Sequence, residues 1–408
     1  MGLNSTKPVF NRLIRIVLFI LILGIGFIGV LAANETTSLA LNDLPKTPVR
    51  AITTAAGSVW YAALQNTSPT TPGFYSSDNQ GRTWQAVKSR LDPATIHALA
   101  VDPNNSSVLY AGTDGGPLGT NNVWRSEDGG KNWQHFNLSL PAGPNRIIPT
   151  VTALVTDPNH PNILYVGTDG QGVYRFLNGQ IGYTLVGGAS LPAATVRDLL
   201  VDTHSRLYAL TGQGLYIFTN DKWQHIDTLP EPPVSFAIAP GDPQILYAGT
   251  PSTGTYRSTD GGQTWQHIVD GLGYTPGSRL FITALAVDPQ NSSHVVAATA
   301  YALGMHHLSP YGLYESTTAG EKWVKITALN RLTTQLTFTP QGILAATNEG
   351  FQRYQPSPAA GTSSVQLALN RITPVLEQLN NIQLGIIALT LILAALVLWG
   401  RLDWLRRR

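Results

Sequence analysis

The most constraining feature of this sequence is a short stretch that occurs three times. Residues 258–265 read STDGGQTW, residues 126–133 read SEDGGKNW, and residues 76–84 read SSDNQGRTW with one inserted residue. An Asp side chain accepts hydrogen bonds from backbone N–H groups a few residues on, and Gly adopts positive φ without strain, so each stretch predicts a tight turn. The flanking segments alternate apolar and polar residues as β-strands do. The chain therefore contains repeated strand–turn–strand units, each closed by an apolar Trp anchor.

These stretches resemble the Asp-box, or BNR repeat. In that family the box is a turn inside a β-propeller blade, and the resemblance implies that its Asp and Trp residues build the fold and take no part in catalysis. The structural positions predicted in this way are Asp78, Trp84, Asp128, Trp133, Asp260 and Trp265. Other units have eroded boxes: the fourth shortens to NDKW at 220–223, and the sixth, STTAGEKW at 316–323, lacks the Asp. A structural turn tolerates such erosion.

The complete repeat unit is about 40 to 55 residues long, a period typical of propellers. Its first strands are predicted to begin near Val49, Ile96, Val151, Val196, Val234, Ile282 and Thr333. We therefore predict an all-β fold, a single seven-bladed propeller of four-stranded blades over residues 38–355. The last unit lacks its fourth strand. We expect the segment near residues 38–42 to pair into the last blade and close the ring, since closure protects exposed strand edges.

Two apolar runs flank the repeats. Residues 14–33 and 384–400 each have about the length of a membrane-spanning helix, and basic residues lie on the outer side of both runs. The positive-inside rule then places residues 1–13 and 401–408 in the cytoplasm and the propeller outside it. The first run is a transmembrane helix or signal anchor, and we favour an uncleaved anchor over a cleaved signal peptide. Residues 356–383 read as a linker with a stalk helix, or as an extension of the final span.

Composition excludes several classes of function. The net charge is +2 and only 12% of residues are charged, which argues against a nucleic-acid partner. The chain contains no cysteine, so disulfide bonds, catalysis by a thiolate and metal sites with cysteine ligands are excluded. The adjacent His306 and His307 have no further ligands nearby, and no phosphate-binding loop or nucleophile elbow is present. We expect no cofactor and no metal site.

In a propeller the first strand of each blade lines the central channel. Aligning the units places seven polar residues at one equivalent position beside that channel: Arg50, His97, Thr152, Arg197, Ser235, Thr283 and Thr334. A water-filled central channel would by itself account for polar residues at these positions. The connecting loops, however, bring further arginines, including Arg90, towards the same face, and a guanidinium cluster favours carboxylates or an acidic protein surface. The candidate partner-binding residues are Arg50, His97, Arg146, Arg197, Arg279 and Arg331.

Two functions follow from family resemblance. Residues 38–355 resemble the photosystem II assembly factor type in having the size of one propeller and in the amino-acid sequence of the repeats. This resemblance implies a membrane-anchored binding or assembly scaffold with a protein partner. The alternative is a glycoside hydrolase, sialidase-like or xyloglucanase-like, acting on surface glycans. Its candidate carboxyl groups near the open face are Asp92, Asp198, Asp227, Glu231 and Asp270, but no motif fixes two of them as a catalytic pair. Xyloglucan enzymes also use two propellers, and only one is present here, so we favour the scaffold over the enzyme.

Overall fold

The computed structural model describes residues 39–41, 44–54, 59–65, 73–92, 95–117, 122–136, 140–143, 146–178, 182–274, 279–303 and 307–355. All of them belong to one compact unit, residues 38–357. The predicted segments 1–13, 14–33, 356–383, 384–400 and 401–408 lie outside the described residues. Within the described ranges, no helix is both long and apolar enough to cross a membrane. The two spans therefore stay predictions.

The described residues are almost entirely β-strand and turn. Up to the end of the third blade the strands are β1 (Leu39–Ala40), β2 (Val49–Thr54), β3 (Trp60–Leu64), β4 (Phe74–Ser77), β5 (Thr83–Ala86), β6 (Ile96–Asp102), β7 (Asn105–Thr113), β8 (Gly116–Pro117), β9 (Val123–Ser126), β10 (Gln134–His135), β11 (Ile147–Ile148), β12 (Val151–Thr156), β13 (Ile163–Thr168), β14 (Val173–Leu177) and β15 (Tyr183–Leu185).

The remaining four blades follow in the same order. Their strands are β16 (Val196–Val201), β17 (Leu207–Thr211), β18 (Gly214–Thr219), β19 (Lys222–His225), β20 (Ser235–Ile238), β21 (Leu246–Gly249), β22 (Thr255–Ser258), β23 (Gln266–His267), β24 (Leu280–Asp288), β25 (Asn291–Leu303), β26 (His307–Ser316), β27 (Val324–Ala328), β28 (Thr333–Thr339), β29 (Gly342–Thr347) and β30 (Gly350–Tyr354).

Seven antiparallel blades are formed by the described strands, and their first strands are β2, β6, β12, β16, β20, β24 and β28. These strands begin within two residues of the predicted starts, the largest difference being β24 at Leu280. The prediction of a seven-bladed propeller of four-stranded blades is confirmed, with three strands described in the seventh blade. First strands of neighbouring blades lie side by side, as β2 and β6 do, and so surround the central axis.

The alternating strand direction gives the propeller two distinct faces. Turns that join first to second strands and third to fourth strands lie on one face, which we call the box face. Connections from second to third strands, and from one blade to the next, lie on the opposite face, which we call the loop face. The Asp-box turns and the starts of the first strands are therefore on opposite faces.

Each Asp-box turn is held by a buried Ser and an acceptor two residues after it. In the fifth blade, Ser258 Oγ accepts the N–H of Gly262 at 2.8 Å and donates to Asp260 Oδ1 at 2.7 Å. Asp260 Oδ1 also accepts the N–H of Thr264 at 2.9 Å. Hydrogen bonds, first of all that from the Thr264 hydroxyl, lower the pKa of Asp260 to about 2. Asp128 makes the corresponding bonds in the second blade.

In the first blade the acceptor is Asn79 and not Asp78. Asn79 Oδ1 accepts the N–H of Thr83 at 2.9 Å and the hydroxyl of Ser77 at 3.0 Å, whereas Asp78 is exposed. The predicted structural role of Asp78 is therefore wrong. Counted back from Trp84, the box is residues 77–84, begins at Ser77 and has no inserted residue. The prediction aligned Asp78 with the Asp of the other boxes because the residue type is the same.

The sixth blade keeps the turn without a carboxylate. Thr318 Oγ1 accepts the N–H of Lys322 at 3.0 Å, and Ser316 Oγ accepts the N–H of Gly320 at 2.9 Å. The two residues at the tip adopt positive φ here as in the other boxes, 56° at Ala319 and 88° at Gly320. A hydroxyl is thus enough to hold this turn.

The box Trp ties its blade to the blade before it. Trp133 Nε1 donates to Ser89 Oγ at 3.0 Å, and Trp323 Nε1 donates to the carbonyl of Ile268 at 2.9 Å. Each acceptor lies just after the last strand of the preceding blade. Trp223 makes the same kind of bond in the fourth blade, although its box is shortened. The repeat therefore encodes contacts between blades as well as a turn within each blade.

The ring closes by side-chain packing between the seventh and first blades. Apolar clusters fill every seam between consecutive blades in the described residues, and the last cluster joins Trp84 of the first blade to Phe351 of the seventh. These two rings stack with centroids 5.3 Å apart and planes 14° apart. Arg353 Nη2 also donates to the carbonyl of Gly81 at 2.6 Å. Burial of apolar surface at this seam stabilises the closed ring.

The prediction that the segment near residues 38–42 pairs with the last blade is wrong. β1 pairs with β5 of the first blade, in the register Leu39 opposite Trp84, and not with β30. The chain after β1 still contacts the seventh blade, because Leu44 is buried in the same cluster as Phe351. Both β5 and β30 have an outer edge that can accept a strand, and the repeat pattern alone does not distinguish the two edges.

Candidate functional site

The residues predicted to surround the channel share a local backbone feature. In six blades the strand register shifts by one residue, and that residue is Arg50, His97, Thr152, Arg197, Thr283 or Thr334. Ser235 of the fifth blade is paired regularly. A β-bulge leaves the extra residue out of the ladder and re-aims its side chain, which is why bulges recur beside functional sites. We call this ring of positions on the loop face the channel mouth.

The hydroxyl members of the channel mouth are engaged with the backbone. Thr152 Oγ1 donates to the carbonyl of Val196 at 2.6 Å, and Ser235 Oγ donates to the carbonyl of Ile282 at 2.8 Å. Each of these bonds joins one first strand to the first strand of the next blade. Thr283 and Thr334 donate within their own blades at 3.3 Å. These four residues therefore have structural roles that account for them.

The cationic members are different. Arg50 in the first blade and Arg197 in the fourth are exposed, and neither has an ion-pair partner among the described residues. The two blades are three positions apart in the ring of seven, so the two side chains start from nearly opposite sides of the axis. Uncompensated guanidinium groups around a channel attract anions, because low-dielectric walls focus the field.

His97 is paired, with a residue that the sequence analysis missed. Its Nε2 lies 2.6 Å from Asp114 Oδ1. Asp114 follows the Gly-Thr that ends the second strand, and Asp169 holds the same place in the third blade, where the hydroxyl of Thr195 donates to it at 2.5 Å. The recurrence of Gly-Thr-Asp at 112–114 and 167–169 was the signal that could have revealed both acids.

The other three predicted arginines do not join this ring. Arg331 is neutralised by Glu349, with Nε 3.1 Å from its carboxylate and Nη1 3.1 Å from its backbone carbonyl. Arg146 and Arg279 are exposed in the connections that lead into the third and sixth blades. Within the described residues, no hydrogen bond or ion pair joins them to the residues that surround Arg50 or Arg197 in the channel mouth. Of the six predicted residues, Arg50 and Arg197 are cations without a described ion pair, and Arg146 and Arg279 are exposed in the connections. The other two, His97 and Arg331, are paired with carboxylates.

Most of the candidate carboxyl groups lie in connections between blades, and Glu231 also holds a neighbouring loop. Glu231 accepts the hydroxyls of Ser252 at 2.7 Å and Thr253 at 2.6 Å, together with the N–H of Thr253 at 2.9 Å. Partial burial raises the pKa of Glu231, but these hydrogen bonds outweigh it and the net pKa is lowered. Glu231 therefore anchors the loop after β21 as a carboxylate. Three more candidates lie in connections between blades: Asp92, Asp227 and Asp270.

Asp198 is the candidate carboxyl group with an unusual environment. It follows the bulge in β16, and its carboxylate accepts the N–H of Leu199 at 2.9 Å. Desolvation raises the pKa of Asp198 to about 6, although the residue is exposed in β16. A carboxyl group that titrates near neutrality can act as a general acid. Its described contacts include no second carboxyl group, and no metal-binding cluster occurs among the described residues.

Comparisons with known sequences agree with this architecture. The family model described as sortilin, neurotensin receptor 3 matches residues 73–181. A xyloglucanase of Paenibacillus sp is 28% identical over 267 residues, which are 60% of this chain and 24% of that enzyme. The chain spans about a quarter of the length of the curated relatives that it matches.

Solved structures show the same fold at low sequence identity. The GH74 xyloglucanase of Xanthomonas campestris aligns with a TM-score of 0.60 and 18% identity, over 79% of this chain and 54% of that one. YCF48 bound to a D1 peptide aligns with a TM-score of 0.58 and 13% identity, over 78% of this chain and 96% of that one. These likenesses concern the fold.

Proposed function

We propose that this chain, a seven-bladed Asp-box propeller, is a binding scaffold whose channel mouth takes an acidic segment of a protein partner. One observation carries the proposal: Arg50 and Arg197 are exposed at equivalent bulged positions and have no anionic partner among the described residues. An Asp or Glu side chain between them would supply that partner. Guanidinium groups bind carboxylates through two parallel hydrogen bonds.

The rim of the channel mouth supports the same kind of partner. Arg146 and Arg279 are exposed on the loop face, where long-range attraction would speed association with an acidic surface. Arg331 contributes less because Glu349 already compensates it. The likeness to YCF48, which was solved with a D1 peptide and is matched over 96% of its length, supports a peptide-binding role for a single propeller of this size.

The test replaces both free cations. We expect R50A/R197A to weaken binding of a fluorescein-labelled hexaglutamate peptide to the purified full-length chain by about tenfold, since each exposed charge pair contributes roughly 0.5 to 1 kcal/mol. The control is R175A/K222A, which removes two exposed charges from β14 and β19, away from the channel mouth. Fluorescence anisotropy at low and physiological salt measures both variants.

Two outcomes would reject the channel mouth as the binding surface. One is equal binding by R50A/R197A and the unsubstituted chain. The other is an equal loss of peptide affinity in R175A/K222A, which would show that binding depends only on the net charge of the chain. Affinity capture with the same two variants then tests whether a cellular partner depends on Arg50 and Arg197.

We also propose that the propeller lies outside the cytoplasm, tethered by residues 14–33 and 384–400. The support is the apolar length of both runs and the basic residues on their outer sides. Alkaline phosphatase fused after Tyr354 is expected to be active, and the same enzyme fused after Arg408 inactive. Activity only in the second fusion would refute this orientation.

Glycoside hydrolysis is the second candidate. It is favoured by the Asp198 carboxyl group, whose pKa lies near 6, and by the sequence similarity to xyloglucanases. Release of reducing ends from xyloglucan that is abolished in D198N would establish this activity. The scaffold proposal expects no release by either chain.

A further inference from the structure

A groove of about 800 Å³ separates the first two blades on the outer side of the propeller. One wall consists of β4, β5 and the connection that follows β5. The other wall is the Asp-box turn of the second blade. Lys88 and Arg90 from the first wall and Lys131 from the second all line it. We call it the basic groove.

The described residues of the basic groove carry more positive than negative charge. Asp128 is the single carboxylate among the described residues that line it, and it accepts the backbone N–H of Asn132 at 2.9 Å and the side-chain amide of Asn132 at 2.7 Å. No ion pair is described for Lys88, Arg90 or Lys131 within the residues that the structure covers. The described lining therefore presents three cations and one carboxylate, which leaves an excess of positive charge.

The position of the two cations on the first wall is fixed by the residue between them. Ser89 Oγ accepts the indole N–H of Trp133 at 3.0 Å and donates to the carbonyl of Leu91 at 3.2 Å. This bond ties the connection after β5 to the second blade. Lys88 and Arg90 are therefore held at the groove by the same contact that joins the two blades.

The turn itself does not require a cation on the second wall. The positions equivalent to Lys131 in the other boxes hold Arg82, Gln263 and Glu321. Since the turn forms with a cation, an amide or a carboxylate at this position, folding does not dictate Lys131. Its charge can be changed without loss of the turn's hydrogen bonds.

The remaining lining indicates the chemistry of the ligand. Gln85, Asn132, Ser76 and Ser107 line the groove with amides and hydroxyls, and Tyr61, the one aromatic residue in the described lining, is 5% exposed. A peptide usually needs apolar pockets for its side chains, whereas the apolar side chains in the described lining, besides Tyr61, are the small Ala86 and Val87, and the others are polar or charged. We propose that the basic groove binds an anionic polysaccharide whose carboxylate or sulfate groups contact Lys88, Arg90 and Lys131. This site is separate from the channel mouth, because none of the channel-mouth residues is among those that line the groove.

The experiment measures binding of fluorescein-labelled hexagalacturonate and of a heparin hexasaccharide to the full-length chain. In K88A/R90A/K131A the affinity for one or both sugars is expected to fall by at least about tenfold, because charge-assisted hydrogen bonds are lost. K88R/R90K/K131R keeps the charges and should retain binding. R50A/R197A should also retain it, so a failure of the channel mouth and a failure of the groove give different results.

A charge-matched control removes three exposed cations elsewhere, R175A/K222A/K322A. An equal loss in this control would overturn the site, because binding would then follow net charge. Undiminished affinity in K88A/R90A/K131A would overturn it as well. Hexaglutamate bound as tightly as the sugars, with the same loss in that variant, would overturn the assignment of a polysaccharide. Thermal unfolding of each variant verifies that the propeller is folded.

Discussion

The Asp-box network can be tested by replacing Ser258 with Ala in the fifth blade. Ser258 is 1% exposed, accepts the N–H of Gly262 and donates to Asp260. Ala removes both bonds and leaves the buried Gly262 N–H without its acceptor. A buried donor left unpaired costs about 1 to 3 kcal/mol, so we expect S258A to lower the free energy of unfolding by about 2 kcal/mol.

Urea unfolding of the full-length chain, followed by Trp fluorescence, measures this change. Thr259 is the matched control: it lies in the same turn and is exposed, and T259A should change the free energy of unfolding by less than about 0.5 kcal/mol. The double variant S258A/D260A should cost less than the sum of the single variants, because they share the bond between Ser258 and Asp260. Strict additivity, or S258A as stable as T259A, would refute the assigned network.

Two further predictions concern backbone strain and pH. Ala319 has φ 56°, a conformation unfavourable for residues with a Cβ, so A319G should raise the free energy of unfolding by about 1 kcal/mol in the same urea assay; a loss of stability would contradict the strain argument. Desolvation raises the pKa of Asp198 to about 6, so the folded state holds its proton more tightly than the unfolded state, and this contribution to stability is complete below about pH 4 and lost as pH rises through 6. D198N cannot ionise at this position, so at pH 8 its free energy of unfolding should exceed that of the unsubstituted chain by about 1 kcal/mol, after allowance for the solvent that reaches the side chain. At pH 4 the two free energies of unfolding should be equal.

The repeat made the fold predictable because each unit is governed by local chemistry. A buried Ser, an acceptor two residues later and two residues with positive φ form the turn by themselves, and the Trp spacing marks the next strand. The choice between Asp78 and Asn79 failed for a related reason. Both side chains can accept the same hydrogen bond, so the residue type favoured Asp78, whereas the spacing back from Trp84 favours Asn79, and Asn79 accepts the bond in the structure.

The channel mouth was partly predictable. Aligned units placed Arg50 and Arg197 at one equivalent position, and the structure shows a bulge at both. The compensation of charge was not predictable in the same way. Glu349 lies 18 residues beyond its partner Arg331 in the chain, and only the antiparallel return of the seventh blade brings them together.

The sequence by itself determined the number of blades, their strand order and the turns that join the strands, because these depend on residues within one repeat unit. The tertiary structure decided how the ring closes, which cations stay free and where a groove opens, because each of these depends on side chains from different blades. Trp84 meets Phe351, and Ser89 holds Trp133, across seams that no single unit contains. Hydrogen bonds and apolar contacts between distant residues require the assembled ring, and the function proposed here depends on the surfaces that this assembly creates.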